Sequence, residues 1–226
     1  LALLAIQFLK YPDSNVIIFD KGRSARSVTM AAGGVYAEPG IGDIGFQPLA
    51  ELGTASDILW CADFIEVLLT EQAVPVDASM RNAITEALKL MKDIPLQDRT
   101  LTTLSTYVSY TNPTTGINDI KAGLSPYLKG GQFGNIFDES ETSLPYSKWT
   151  MIEMGSLMDL SEKAVRPALV FLFKYIERIW KGTNAKPKRK KELTLLILDE
   201  AWLYLDNPVF ASRIKEWLLT CRKDNV

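Results

Sequence analysis

The residues with the clearest chemical potential are two adjacent carboxylates, Asp199 and Glu200, which directly follow an apolar run at 193–198. An unbroken apolar run of this length predicts a strand that is buried on both faces of a parallel sheet. Ligands of open α/β sheets bind outside the carboxyl ends of the strands, which is where these two acids would lie. The alternative is a strand that simply ends in a solvated acidic turn.

The apolar run followed by Asp-Glu matches the Walker B motif of P-loop nucleoside triphosphatases. In that motif the first acid, here Asp199, helps to hold Mg²⁺, often through water. The second acid, here Glu200, would activate the attacking water as a general base. The phosphate-binding half of such a site is not found in the 226 residues, because they contain no Gly-x-x-x-x-Gly-Lys-Ser/Thr sequence.

A second polar cluster follows another predicted strand. The apolar run at 15–19 predicts a short buried strand, and the charged residues Asp20, Lys21 and Arg23 come directly after it. Parallel strands of one sheet end at the same edge, so these charges could face the same crevice as Asp199. A polar turn between a strand and a helix explains the spacing equally well.

Length and composition predict a folded globular protein. The 226 residues are 47% hydrophobic, which is enough for a sizeable core, and their net charge of −2 gives no overall attraction to nucleic acid. Cys61 and Cys221 are the two cysteines, and the sequence has no histidine. This composition disfavours a disulfide framework, a histidine-containing zinc site and a Cys-His nucleophile, so we expect reduced thiols in the cytosol.

One local exception to the charge balance lies just before the strand at 193–198. It is a basic run that contains Lys186, Lys188, Arg189, Lys190 and Lys191. Such a run could contact the phosphate backbone of DNA or an anionic membrane surface. The alternative is a solvated loop.

Hydrophobic periodicity predicts the elements that surround these residues. Residues 1–9 predict a buried helix, residues 33–45 predict a loop, and residues 100–110 fit either a helix or a strand. Helices at about 50 to 130 would form a layer that packs on the sheet. Five further helices are predicted: at 56–72 with Ser56 as N-cap, from Ser79 to before Pro95, at 117–128 with a bend at Pro126, from near Pro167 to near Gly182, and after Asn207. Two further strands are predicted at 134–138 and 149–154.

Seven segments carry a family resemblance when they are taken together. They are LLAIQFL at 3–9, FDKGRS at 19–24, FGNIFD at 133–138, EMG at 153–155, RPAL at 166–169, LILDEAW at 196–202 and IKEWL at 214–218. In this order they resemble the conjugative-transfer ATPases of type IV secretion systems, the TrbE-like branch of the FtsK and HerA group of P-loop motors. The resemblance covers nearly the whole chain.

The resemblance implies a RecA-like α/β core with a mostly parallel sheet and an inserted all-helical subdomain. The N-terminal portion of the core would be 1–48, the helical insertion 49–131, and the remainder of the core, with the Walker B acids, 132–226. Residues 1–10 would be the helix that follows the P-loop. The chain would then be a fragment that lacks the P-loop strand before it and the sensor strand and arginine finger after it.

Site residues carry over from the resemblance position by position. Asp199 is implied as the Mg²⁺-associated acid and Glu200 as the catalytic base. Asp20, Lys21 and Arg23 are implied as candidate nucleotide-binding residues, although the resemblance does not fix their roles.

The implied function is that of an ATP-hydrolysing motor, with ATP and Mg²⁺ as cofactors, which energises substrate transfer or assembly of a secretion channel or pilus. The implied partners are further copies of the chain, with a hexamer as one candidate, and other type IV secretion subunits at the inner membrane. Its implied location is cytoplasmic and peripheral to the bacterial inner membrane. We expect the 226 residues by themselves not to hydrolyse ATP. Two alternatives stay open: a DNA-translocating motor of the FtsK or HerA type outside secretion, and a catalytically silent ATPase-like scaffold.

Overall fold

A computed structural model describes residues 1–40, 44–181 and 193–199, together with residues 211, 212, 214, 215 and 219. The strands of these residues are β1 (Ser14–Asp20), β2 (Val35–Ala37), β3 (Trp149–Glu153) and β4 (Leu193–Leu198). The α-helices are α1 (Ala2–Phe8), α2 (Arg26–Ala31), α3 (Ala55–Glu71), α4 (Ala78–Met91), α5 (Leu101–Tyr107), α6 (Asp119–Leu124), α7 (Gly134–Phe137), α8 (Gly155–Met158) and α9 (Glu162–Lys181). The predictions for Glu200, Cys221 and the basic run at 186–191, and most of the helix predicted after Asn207, lie outside the described residues.

The four described strands form one parallel sheet in the order β2-β3-β1-β4. β1 is an inner strand, because Val16 is aligned with Trp149 of β3 on one side and with Leu195 of β4 on the other. Six of its seven residues are buried. The predicted strands at 15–19, 149–154 and 193–198 are therefore confirmed, and so is the predicted α/β class with a parallel sheet.

β4 is less buried than its apolar sequence predicts. Only Thr194 and Ile197 are buried, and the other four residues of the strand are partly exposed. In the part of the chain that the structure describes, β4 pairs with β1 alone and lies at the edge of the sheet. An edge strand has a neighbour on one side only, which accounts for the incomplete burial.

α1 is helical as predicted, but the predicted burial is wrong. Ala5 is its only buried residue, whereas Leu3, Leu4 and Ile6 are exposed. Ala5 belongs to the same core cluster as Val16 of β1, so α1 meets the sheet through one narrow face. A continuous apolar run does not reveal which of its residues face the sheet.

β2 lies inside the region predicted as a loop, so that prediction is wrong at Val35–Ala37. A strand of three residues is too short to show alternation, and glycines flank it. Gly34 is needed just before it, because a Cβ at this position would lie 2.7 Å from the carbonyl oxygen of Trp149. The missing side chain lets the chain approach β3 closely enough to pair with it.

The chain divides into two compact units. The first unit comprises Leu1–Gly42, Leu144–Leu160 and Leu169–Val226 and contains the sheet. The second unit comprises Asp43–Ser143 and Ser161–Ala168, and its regular elements in the described residues are all helices. The domain boundaries predicted at 49 and 131 stay a prediction.

The caps of the two longest helices in the second unit differ from those predicted. The N-cap of α3 is Thr54 and not Ser56, because the Thr54 hydroxyl accepts the Asp57 N–H at 3.1 Å while the Asp57 carboxylate accepts the Thr54 N–H at 2.9 Å. The N-cap of α4 is Asp77 and not Ser79. In both cases a capping side chain was available two residues earlier, so the helix starts earlier than predicted.

The strand predicted at 134–138 is wrong, because Gly134–Phe137 form α7. Phe133 and Phe137 both pack against Tyr127, with ring centroids 5.4 and 5.8 Å away. A spacing of four residues fits one face of a strand and one face of a helix, so the apolar pattern could not decide between them. The backbone of Gly134 approaches Leu128 so closely that a Cβ would lie 2.2 Å from the Leu128 carbonyl oxygen, a contact that only a glycine allows.

Three other helical predictions agree with the structure or are resolved by it. The ambiguous residues 100–110 contain α5, whose N-cap Thr100 accepts the N–H of Thr103. The predicted bend at Pro126 is present, because α6 ends at Leu124 and a short 3-10 helix follows at Ser125–Tyr127. The predicted long helix around Pro167 is α9.

Candidate functional site

The carboxyl ends of the four described strands lie along one edge of the sheet, and an acid stands at each of them. Asp20 ends β1 and is aligned with Glu153, which ends β3. Glu38 follows β2, and Asp199 follows β4. The backbone N–H of Asp199 donates to the Phe19 carbonyl at 2.9 Å, which places Asp199 beside the end of β1.

Ser24 connects two of these acids. Its Oγ lies 2.8 Å from Oδ1 of Asp20 and 3.2 Å from Oδ2 of Asp199. The other oxygen of Asp20 accepts the Ala25 N–H at 2.9 Å. The sheet thus brings Asp20 and Asp199 to the same edge, and the Ser24 hydroxyl lies between them.

Asp20 serves the turn that follows β1. Its side chain is fully buried, and both of its oxygens accept hydrogen bonds from within that turn, at Ser24 and Ala25. A buried carboxylate needs such donors to offset the loss of hydration. The contacts of Asp20 therefore hold the turn in place beside Asp199.

Glu153 holds the same turn from the neighbouring strand. It is 2% exposed, and its Oε1 accepts the N–H groups of Gly22 and Gly155 at 3.0 and 2.9 Å, while its Oε2 accepts the Arg23 N–H at 2.7 Å. Gly22 and Arg23 both have positive φ, at 97° and 60°. This left-handed conformation turns the N–H groups of Gly22 and Arg23 toward one carboxylate, and these two hydrogen bonds offset its cost for Arg23.

Arg23 points its side chain to Glu38. Its Nη2 lies 2.7 Å from Oε1 of Glu38 and its Nε lies 3.3 Å from Oε2. The two residues therefore form a bidentate ion pair. Glu38 also accepts hydrogen bonds from the hydroxyls of Ser156, at 2.6 Å, and Tyr36. The guanidinium of Arg26 lies 4.9 Å from the centre of the Tyr36 ring. Arg23 is therefore tied into a network at the ends of β2 and β3.

The contacts of Glu38 shift the acid–base equilibria of its partners as well as its own. The hydrogen bond from Arg23 lowers the pKa of Glu38 from 4.5 to about 2, with help from Ser156 and Tyr36 and against the effect of burial. The same contact raises the pKa of Arg23. Burial, followed by the bond to Glu38, raises the pKa of Tyr36.

Lys21 has different surroundings from Asp20 and Arg23. It is partly buried on the same turn. Among the ion pairs of the described residues, none includes Lys21, whereas Arg23 pairs with Glu38. Of the two predicted basic site residues, Lys21 is thus the one whose charge is not neutralised by an ion pair in this region of the chain.

A pocket of about 240 Å³ opens beside Asp199. Asp199, Ser24 and Ser27 give it a polar wall, and Ile18 and Ile197 contribute apolar surface. Mg²⁺ in nucleotide sites is held by one or two carboxylates, by water and by substrate phosphates rather than by a cage of protein ligands. One carboxylate and nearby hydroxyls at a pocket fit that donor set. Within the described residues, no group of three or more acids, cysteines or histidines could hold a metal ion.

Sequence reasoning missed Ser24, Glu38 and Glu153 as members of this site. Glu153 lies in the EMG segment that supports the family resemblance, and Ser24 ends the FDKGRS segment, so both carried a signal that was not interpreted chemically. The sequence around Glu38 gave no signal of a site, because the strand before it is only three residues long and was not predicted.

Comparison with known proteins relates the whole chain to one group. No protein-family model matches it. It is 34% identical over its full length to a probable conjugal transfer protein TrbE from Sinorhizobium fredii (strain NBRC 101917 / NGR234), of which it covers 32%. It is also 34% identical over its full length to a conjugal transfer protein TrbE from Rhizobium radiobacter, of which it covers 26%. The identity to the type IV secretion system protein virB4 of Bartonella henselae is 24% over 96% of this chain and 26% of that protein.

The structural comparison shows that a VirB4 protein has a similar fold. The structure of VirB4 of Thermoanaerobacter pseudethanolicus matches 99% of this chain and 88% of that chain, with a TM-score of 0.71 at 18% identity. The chain is thus an α/β protein of the predicted RecA-like class. It is a homologue of the TrbE and VirB4 proteins, which confirms the predicted resemblance, and it spans about a third or less of the length of the curated relatives that it matches. Within the described residues, no helix is both long enough and apolar enough to cross a bilayer.

Proposed function

We propose that this chain belongs to an ATP-hydrolysing motor of a type IV secretion or conjugative DNA-transfer system, which energises substrate transfer or assembly of the channel or pilus. The similarity to TrbE and VirB4 proteins supports the biological setting. The observation that carries the enzymatic role is the position of Asp199, which follows a strand of a parallel sheet and lines a pocket together with Ser24. This is the edge at which α/β proteins bind their ligands.

In this proposal Asp199 helps to hold Mg²⁺ and Glu200 accepts a proton from the attacking water. When bound, Mg²⁺ neutralises charge on the phosphates of ATP. Lys21 would offer a positive charge at the same edge. Asp20 and Arg23 act indirectly, because Asp20 holds the turn and Arg23 is bound to Glu38.

The proposed partners follow from the setting. They are further copies of the chain in a homo-oligomer, a hexamer being one candidate, and other type IV secretion subunits at the inner membrane, with the motor on its cytoplasmic side. DNA contact through the basic run at 186–191 remains a prediction from sequence.

The proposal is tested on the full gene product that contains this chain. Asp199→Asn and Glu200→Gln are each expected to lower the steady-state rate of ATP hydrolysis by about 100-fold or more, because one removes a metal-associated charge and the other removes the base. Glu200→Gln should leave nucleotide binding intact. Asp159→Asn is a matched control, since Asp159 is an exposed acid in the same unit and should have no effect on the rate.

Two results would contradict the proposal. Hydrolysis by Asp199→Asn at the rate of the unsubstituted protein would remove Asp199 from the site. An unsubstituted gene product that binds secretion subunits but neither binds nor hydrolyses ATP would instead support the catalytically silent scaffold.

A further inference from the structure

The hydroxyl of Ser24 has one proton and two carboxylate neighbours. Its Oγ lies 2.8 Å from Oδ1 of Asp20 and 3.2 Å from Oδ2 of Asp199. In sequence, Asp20 is four residues before Ser24 and Asp199 is 175 residues after it. A serine hydroxyl donates one hydrogen bond and accepts through two lone pairs. It cannot donate a full hydrogen bond to both acids at the same time.

The distances and the burial of the two acids favour donation to Asp20. The bond to Asp20 is the shorter one, and Asp20 is fully buried whereas Asp199 is partly exposed. A buried carboxylate gains more from a donor, because it has no water to replace that donor. When the proton is directed to Asp20, the lone pairs of Ser24 are left on the side of Asp199.

The turn around Ser24 holds this geometry in place. The preceding residue, Arg23, is anchored through its N–H to Glu153, and the following residue, Ala25, is anchored through its N–H to Asp20. Ser24 is therefore fixed from both sides in the chain. Its side chain and that of Asp199 line the same pocket.

We infer that Ser24 is a positioning residue for the cation held at Asp199. Its hydroxyl turns an oxygen lone pair toward water in the hydration shell of the cation beside Asp199, while its proton stays on Oγ and is directed to Asp20. The inference rests on the proposed function and adds to it a residue from the turn after β1. Groups that orient a metal ligand in this way commonly change metal affinity by about 10 to 100-fold when they are removed.

The test separates the contribution of the metal from that of the nucleotide. Binding of a fluorescent non-hydrolysable ATP analogue to the full gene product is measured with Mg²⁺ and again with EDTA. Ser24→Ala is expected to weaken binding about tenfold in Mg²⁺ and to leave binding in EDTA unchanged. Ser24→Thr, which restores a hydroxyl, should return the Mg²⁺-dependent affinity to within about threefold of the unsubstituted protein. Ser79→Ala is the control, because Ser79 is an exposed serine that does not line this pocket, and it should leave binding unchanged in both conditions.

Each outcome decides a different point. Equal affinities of Ser24→Ala and the unsubstituted protein in Mg²⁺ would overturn the inference and leave the proposed function standing. An equal loss in Mg²⁺ and in EDTA would also overturn it, because that loss would reflect a distorted turn. If the unsubstituted protein shows no Mg²⁺-dependent nucleotide binding, the proposed function fails and the inference fails with it. Should Ser24→Ala not fold, Ser24→Cys replaces the hydroxyl by a somewhat larger thiol, which is a much weaker donor and acceptor, and is expected to show the same selective loss.

Discussion

At the scale of single residues, Glu38 connects three other side chains at the sheet edge. It binds the guanidinium of Arg23 and accepts from the hydroxyls of Tyr36 and Ser156. Its pKa of about 2 lies below its usual 4.5, mainly because of Arg23. A carboxylate whose pKa is lowered by folding stabilises the folded state above its unfolded pKa, and that stabilisation is lost as the pH falls through the folded pKa.

Glu38→Gln is expected to lower the free energy of unfolding by about 1 kcal/mol at neutral pH. This loss of stability is small because the ion pair is screened by solvent, since the Arg23 side chain is 51% exposed. The difference between Glu38→Gln and the unsubstituted protein should shrink as the pH falls from about 4.5 and vanish near about 2. Urea unfolding of both proteins at a series of pH values measures it.

A second acid serves as the control for this prediction. Glu86 forms an ion pair with Lys89, but its side chain is 69% exposed, so Glu86→Gln should change the free energy of unfolding by less than about 0.5 kcal/mol at any of these pH values. A Glu38→Gln effect that stays constant between neutral pH and the acid limit would rule out the ion pair as its source.

At the scale of elements, α7 depends on a residue that has no side chain. Gly134 lies at the start of α7, where its backbone approaches the Leu128 carbonyl. A β-carbon there would lie 2.2 Å from that oxygen, which belongs to the backbone and cannot rotate away. Two effects therefore oppose each other when glycine is replaced by alanine: better helix propensity and a steric clash.

Gly134→Ala is expected to lower the free energy of unfolding by about 1–3 kcal/mol, because the clash outweighs the gain of about 1 kcal/mol that alanine offers in a helix. Gly53→Ala is the matched control. The nearest atom to a Cβ at Gly53 is 3.9 Å away, so this substitution should change stability by less than about 1 kcal/mol. Chemical denaturation of the three proteins gives the comparison, and a Gly134→Ala protein as stable as the parent would contradict the close approach.

The strands and helices differ in how far the sequence could predict them. β1, β3 and β4 were predictable because their apolar runs are too long to be expected by chance in a loop. Since parallel strands end at a shared edge, the sequence also allowed Asp20 and Asp199 to lie close together. β2 and α7 were not predictable, because runs of three and four residues fit several conformations. The N-caps of α3 and α4 were each misplaced by two residues for another reason, because a second capping side chain stood earlier in the chain.

The contacts between distant residues at the site were beyond sequence reasoning as well. That Glu153 holds Gly22 and Arg23, or that Arg23 turns to Glu38, depends on side-chain directions that only the assembled sheet determines. Sequence could suggest which residue types meet at an edge, but not which of them neutralise one another.

At the scale of the whole molecule, the 226 residues carry acids for a metal but no P-loop sequence. The charge of a triphosphate is usually held by the amides and the lysine of such a loop. The 226-residue chain by itself is therefore expected to bind Mg·ATP with a dissociation constant of about 1 mM or weaker, equivalent to about 4 kcal/mol or less. Calorimetric titration of this chain beside the full gene product measures the difference. Micromolar binding by the 226 residues alone would mean that the nucleotide site lies elsewhere in them.

The parallel sheet also determines when during synthesis the site can form. The turn after β1 receives its contacts from Glu153, 131 residues after Gly22, and from Asp199, 175 residues after Ser24. At about 5–20 residues per second, a ribosome makes β1 many seconds before it makes the strands that flank β1. During that interval β1 has unpaired backbone groups on both edges, and such edges readily pair with other chains. The nascent chain is therefore most in need of a chaperone between the emergence of β1 and that of β4.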